Sequence, residues 1–169
     1  MPNKDEEPCN LKAAVADSSA FIQGFPISGA IRIYTTPLID KEVEGVKGIG
    51  LLHAAAVEIM APSDQAITMV REGAKRTGDD ARLSEADIEV LALAFELGLS
   101  ILTDDYSIQN LARHLKVTFI PVREKGITEE IKWTYRCRGC RKIFDERIDE
   151  CPICGSEVKS SRGGRPKGK

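Results

Sequence analysis

Four cysteines near the carboxyl end restrict this chain more than any other feature. Cys137-x2-Cys140 and Cys151-x2-Cys154 form two knuckles separated by ten residues. A C-x2-C turn aims two thiolates at one point, and two such turns complete a tetrahedral sulfur shell. Zn2+ is the expected ion, with iron in the same four-sulfur geometry as the alternative. Disulfides do not suit a cytosolic protein, and a thioredoxin-like redox pair needs one C-x2-C beside a βαβ unit, not two in a basic tail. Four protein ligands leave no open position, so the metal is structural. A module of roughly 30 residues has too small a core to fold without it. Gly139 inside the first knuckle and Gly155 after the second suit tight turns whose amides bond the sulfurs. The fifth cysteine, Cys9, reads as an inert thiol in a mobile leader.

Charge divides the chain at the same place. Residues 1–129 hold 13 Lys and Arg against 20 Asp and Glu; residues 130–169 hold 11 against 6. Four cysteinates on one divalent ion reduce the second excess from +5 to +3. An acidic body with a basic tail points to two tasks, holding cations and meeting a polyanion. No apolar run approaches the roughly 20 residues of a membrane helix, and MPNKDEEPCN lacks the apolar segment of a signal peptide. The expectation is a cytoplasmic protein without a membrane partner.

The body is organised around Leu83 to Leu111, read as helix, strand, helix. Ser84 is a good N-cap, and Asp87 three residues on completes a capping-box-like pattern. Ile88, Leu91, Ala92 and Phe95 then recur on one helical face. Leu99 to Leu102 is short and apolar, as a buried parallel strand is. Earlier, Leu11–Ala16, Ile31–Thr35 and Ala56–Met60 read as strands, with short helices near Ser18 and after Pro37. Ser63 caps a helix over Asp64–Thr77, ended by Gly78-Asp79-Asp80, and Lys116–Pro121 is the last strand. The order β-α-β-α-β-α-α-β-α-β implies an α/β domain with a mainly parallel sheet. The expected division is a leader (1–10), this domain (11–121), a linker (122–134), the metal ribbon (135–158) and a disordered basic tail (159–169).

Asp17 follows the first strand, Glu42 sits in the second helix, Asp87 opens the fourth, and Asp104 and Asp105 follow the strand 99–102. Singly, Asp17, Asp87 and Asp105 read first as helix caps, and Glu42 as an exposed helix residue. Together they read differently. Neighbouring parallel strands end side by side, about 4.8 Å apart, at the edge where open α/β sheets bind ligands. Clustered carboxylates raise one another's pKa unless a cation sits between them. Such a pocket suits Mg2+ or Mn2+ with waters completing the shell, and those metals support in-line phosphoryl displacement. No Ser-His-Asp or Cys-His arrangement competes; His53 reads as a helix or turn residue and His114 as a late-helix residue.

The segments VADSSAFIQG, TTPLIDKEVEG, LSEADIEVLALAFELG and ILTDDYSIQNLA resemble PIN-domain nucleases, whose signature is those acids in that order. Thr103-Asp104-Asp105 matches the T-x-D element of that family, making Asp105 the matching acid and Asp104 an accessory. With the cysteine ribbon appended, residues 12–158 are similar to the archaeal Nob-family endonucleases. The resemblance implies a PIN-like three-layer fold with about five parallel strands. It also implies a Mg2+- or Mn2+-dependent single-strand endoribonuclease that forms the mature 3′ end of small-subunit ribosomal RNA on the pre-ribosomal particle. Three other readings compete: a non-catalytic RNA-binding assembly factor, a PIN toxin cleaving transfer or messenger RNA, and a receiver-type phosphoacceptor. Retention of all four acids opposes the first, and the ribbon opposes the second. The third needs a lysine after the last strands and a lone acceptor Asp, and neither is evident.

Arg136, Arg138, Arg141 and Lys142 around the first knuckle are the candidate phosphate contacts, followed by Arg162, Arg165, Lys167 and Lys169. Trp133, Tyr135 and Phe144 either stack on single-stranded bases or form the ribbon's small core.

Overall fold

The computed structural model describes residues 11–25, 31–44, 57–123, 126–128 and 133–162. Ten elements make the body: β1 (Ala13–Ala16), α1 (Ser18–Ile22), β2 (Arg32–Thr35), α2 (Pro37–Glu44), β3 (Val57–Ile59), α3 (Asp64–Thr77), α4 (Glu85–Leu97), β4 (Ser100–Leu102), α5 (Tyr106–His114) and β5 (Phe119–Ile120). This is the order read from hydropathy and caps. The leader, with Cys9, and residue His53 lie outside the described residues, as do Arg165, Lys167 and Lys169.

Local chemistry explains the helix limits. Ser63 accepts the Ala66 amide at the start of α3, and Gly78 ends it in the left-handed region at φ 78°. At α4 the Ser84 hydroxyl accepts the Asp87 amide while the Asp87 carboxylate accepts the Ser84 amide, a complete capping box. The apolar face expected for α4 understates its burial. Ala86, Ile88 and Val90 through Ala94 are all buried, because α4 packs at once on α2, α3, α5, β1 and β4.

The five strands are parallel in the order β3-β2-β1-β4-β5. β1 and β4 are central and buried, with Ala16 opposite Leu102. The core joins Val15, Ile33, Leu91, Ile101, Leu102 and Leu111 with Phe21 and Ile39. The chain leaves β1 toward β2 on one side and reaches β4 on the other, so the order reverses between these two strands. That crevice is where ligand sites of open α/β sheets form. No helix among the described residues is long and apolar enough to cross a membrane.

A second sheet holds β6 (Trp133–Cys137), β7 (Ile143–Phe144) and β8 (Val158–Arg162), antiparallel in the order β7-β6-β8. It extends past both expected ends of the ribbon, 135 and 158. Backbone pairing of Trp133 with Arg162 needs no particular side chain, so the Ser-rich composition of 160–162 does not prevent it. Tyr135, Cys137, Cys151 and Val158 form its small core, with Phe144 and Ile148 packed against them.

Candidate active site and metal centre

Asp17 is the first residue after β1, and Thr103, Asp104 and Asp105 follow β4. Adjacent strand ends bring them together: the Asp17 amide donates to Leu102 O at 3.1 Å. Asp17 is 3% exposed, and its carboxylate is held on both oxygens. The Ser18 amide donates to Oδ1 at 2.6 Å, and the hydroxyls of Ser19 and Thr103 donate to Oδ2 at 3.1 and 2.8 Å. The fully buried Thr103 hydroxyl also accepts the Asp105 amide at 3.0 Å, so one hydroxyl joins the two acids across the strand boundary.

Burial foremost, opposed by these hydrogen bonds but assisted by the Asp105 charge, holds the Asp17 carboxyl above its ordinary value. Glu42 on α2 is raised by desolvation and then by Asp87 and Asp17. Asp87 at the start of α4 is raised by desolvation and then by Asp17 and Asp105. Each of these acids feels others of the set, so α1, α2, α4 and α5 converge on one negative locus. The bland reading of caps is also correct: Asp17, Asp87 and Asp105 all cap. Asp87 caps through Oδ2 and Asp105 through Oδ1, so capping occupies one oxygen of each.

Asp104 is turned elsewhere. Its carboxylate accepts the backbone amides of Val122 at 2.8 Å and Arg123 at 3.1 Å, tying the end of β5 to the β4 loop. Ser19 is a residue that the sequence showed only as a cap former. Its hydroxyl also accepts the Asp104 amide at 3.1 Å. The legible signal was D-S-S directly after a buried strand. Gln109, fully buried on α5, donates to Thr103 O at 2.9 Å and accepts the Ile127 amide at 3.0 Å; nothing in its local pattern singled it out.

The donor set fits a hard divalent cation. Three carboxyls raised by burial and mutual repulsion are relieved by a positive ion. The acids are not drawn as tight as a closed metal cage; among the described residues, only the four cysteines bring three or more ligand atoms within 4.8 Å of one another. Looser carboxylates match an ion that keeps several waters.

The cysteines fit a tetrahedral ion more directly. Cys137 Sγ lies 3.4 Å from Cys154 Sγ, and Cys140 Sγ lies 3.6 Å from Cys151 Sγ. A metal at about 2.3 Å from each sulfur separates tetrahedral ligands by about 3.8 Å, while a disulfide would hold them near 2.0 Å. Ser156, through its hydroxyl and amide, and then Cys137 lower the Cys154 thiol to about 6. The Lys142 amide pulls Cys140 down, but desolvation and the three neighbouring sulfurs outweigh it and push that thiol up to about 11. Four thiolates cannot all ionise without a cation among them. Gly139 is required sterically: a Cβ there would meet Ser156 Oγ at 2.3 Å. Its amide donates to Cys137 Sγ at 3.3 Å, as the knuckle geometry implied. The Gly155 amide instead donates to Cys151 O at 2.9 Å, and in the second knuckle it is the Ser156 amide that bonds a sulfur, that of Cys154.

Arg136, Arg138, Arg141 and Lys142 are all exposed around the first knuckle. Arg138 and Lys159 both pair with Glu157, at 3.6 and 3.4 Å. The ribbon aromatics face inward. Tyr135 is 5% exposed and Phe144 packs on the ribbon core, while Trp133 bonds to Asp79. Trp133 and Tyr135 share a pleat face with Cys137, and Phe144 pairs across from Tyr135, which turns all three toward core and body and favours the ribbon-core reading over stacking.

The family described as the PIN domain of ribonuclease matches residues 14–97. The chain is 43% identical over 151 residues to Endoribonuclease Nob1 of Pyrococcus abyssi, covering 86% of this chain and 91% of that protein. It is 44% identical over 103 residues to Ribonuclease VapC1 of Thermoplasma acidophilum, covering 61% of this chain and 53% of that one. A stretch of 80 residues is 30% identical to the 20S-pre-rRNA D-site endonuclease NOB1 of Saccharomyces cerevisiae, covering 45% of this chain and 17% of that protein.

Proposed function

The chain belongs to the Nob1 endoribonuclease family, and from that premise we propose how its site works and on what. The substrate is precursor small-subunit ribosomal RNA within the pre-ribosomal particle, cut in the cytoplasm to form the mature 3′ end. A yeast relative named for a pre-rRNA endonuclease supports this choice, as does the ribbon's basic excess. The observation that carries the mechanism is the meeting of Asp17 and Asp105 on adjacent strand ends, with Glu42 and Asp87 raised beside them.

Asp17, Glu42, Asp87 and Asp105 would hold Mg2+ or Mn2+. When bound, the ion lowers the pKa of an attacking water and offsets charge developing on the phosphodiester. Thr103 and Ser19 keep the Asp17 carboxylate in one rotamer, so the acid is positioned before RNA arrives. The N-terminus of α5, aimed at this edge, adds a positive dipole end beside Asp105. Asp104 acts as a positioning residue through Val122 and Arg123. Residues 11–121 make up the cutting unit. The ribbon, closed by one Zn2+ on Cys137, Cys140, Cys151 and Cys154, presents Arg136, Arg138, Arg141 and Lys142 to the RNA backbone.

The test is cleavage of an end-labelled precursor fragment spanning the small-subunit 3′ end, with Mn2+, Mg2+ or chelator. One metal-dependent cut supports the proposal. Tight binding without cleavage under any metal overturns it, and scattered cutting of any RNA withdraws the substrate.

Two further results are expected. Carboxyls raised in the fold contribute stability below their unfolded values, about 3.9 for Asp and 4.3 for Glu, and lose it as pH rises through the folded values. At neutral pH they therefore oppose folding of the metal-free chain, and a cation that binds only the ionised forms reverses this. A hundredfold excess of Mn2+ over its Kd should raise Tm by about 5–10 °C at pH 7.5, and the rise should vanish toward pH 4. A pH-independent shift in scanning calorimetry would refute carboxylate binding. Second, Arg136→Ala, Arg141→Ala and Lys142→Ala together should weaken RNA binding at least tenfold. The slope of log K against log salt should fall by about 2, at about 0.7 per contact to a single strand, while turnover at saturating RNA persists. An unchanged slope removes the phosphate contacts.

A further inference from the structure

We propose that Asp79 and Trp133 form a latch that fixes the ribbon on the PIN body, so that where the ribbon holds RNA sets where the sheet edge cuts it. The inference rests on the nuclease reading of the body and the RNA-holding reading of the ribbon.

Asp79, in the turn between α3 and α4, has no solvent exposure. Both carboxylate oxygens are occupied. Oδ2 accepts the Thr77 hydroxyl at 2.6 Å and the Asn110 amide at 2.7 Å, and Oδ1 accepts the Trp133 indole N–H. The third donor comes from the ribbon, so undocking breaks a hydrogen bond to a carboxylate that is shielded from water while the two parts are joined. The same turn grips β6 twice more. The Arg82 guanidinium lies 3.6 Å from the centre of the Trp133 ring, and the Tyr135 hydroxyl donates to Gly78 O at 3.4 Å. Gly78 takes φ 78°, a conformation that favours glycine, and a Cβ there would sit tight against Trp133 Cβ at 3.3 Å.

Each side of the latch is rigidly joined to a working part. On the ribbon side, Trp133 and Tyr135 share β6 with the zinc ligand Cys137. On the body side, Asn110 stands on α5, whose N-cap is Asp105, and its neighbour Gln109 bonds Thr103 O and the Ile127 amide of the connecting segment. The knuckle cations and the acidic edge are thereby held at one separation.

The test compares the intact wild-type chain with Trp133→Phe and Asp79→Asn on two substrates. One is the end-labelled precursor fragment and the other a short unstructured oligonucleotide carrying the same cut. Both variants should keep kcat on the oligonucleotide within twofold. On the precursor, KM should rise at least tenfold and cutting should spread to neighbouring positions. Trp133 is the chain's only tryptophan, so Asp79→Asn should also shift emission to the red and increase acrylamide quenching. Unchanged cut position and KM in both variants overturns the proposal, as does unchanged emission in Asp79→Asn. Loss of oligonucleotide cleavage in both variants overturns it too, by placing the effect in the catalytic body. If wild type cuts neither substrate, the nuclease reading falls first and this inference with it.

Discussion

Asp17→Asn is expected to slow RNA cleavage at least about a thousandfold, some 4 kcal/mol of barrier, without unfolding the body. Asn keeps the size of Asp and an oxygen for the Ser18 amide, while Ser19 and Thr103 can reorient their hydroxyls to accept from the new NH2 group. Desolvation is the main influence on Asp17, so a neutral group in its place removes a burden from the metal-free fold. Tm without metal should stay level or rise, and the Mn2+-dependent increase should disappear. Single-turnover kinetics on the labelled precursor, beside a thermal melt, check both halves. Residual activity within tenfold of wild type would show that Asp17 only caps α1. A fall in Tm of more than a few degrees with cleavage lost would locate its role in folding.

Zinc loss should have an effect of similar size on a different part. The buried ribbon core is Tyr135, Val158 and two cysteines, far too little to order some 30 residues. A structural Zn2+ contributes about 10–16 kcal/mol in small modules at pH 7. Cys151→Ser, at a position 2% exposed, should therefore lose the ion and unfold the ribbon, leaving the body's own core intact. Native mass spectrometry should show zinc falling from one to none, and proteolysis should cut between residues 133 and 162. A variant that retains stoichiometric metal and resists protease would refute a four-cysteine structural site.

Much of this was legible because it depends on neighbours in sequence. The Ser84–Asp87 capping box, the ends of α3 at Ser63 and Gly78, and the strand 99–102 are local signals, and parallel-sheet geometry turned Asp17 and Asp105 from caps into a pair. The illegible parts depend on contacts between distant segments. Asp79 read as a helix breaker because the donors that bury it lie at 110 and 133. Asp104 read as an accessory acid because its partners, the amides of 122 and 123, carry no side-chain signature. Arg138 looked like its exposed neighbours until Glu157 was placed beside it.

The position of β1 also dictates how the chain must fold as it is made. β1 pairs with β2 nearby, but its other edge waits for β4, and Thr103 meets Asp17 across 86 residues. A ribosome releasing this chain therefore exposes β1–β3 with an unpaired, apolar edge until Leu102 has emerged. Closure of a loop that long is slow compared with helix formation, and open edges invite association. The β1–β4 seam can zip up only then, and the β4–β5 pairing follows once Ile120 is out. Because the two acids flank that seam, no part-synthesised chain short of it can bring Asp17 and Asp105 together.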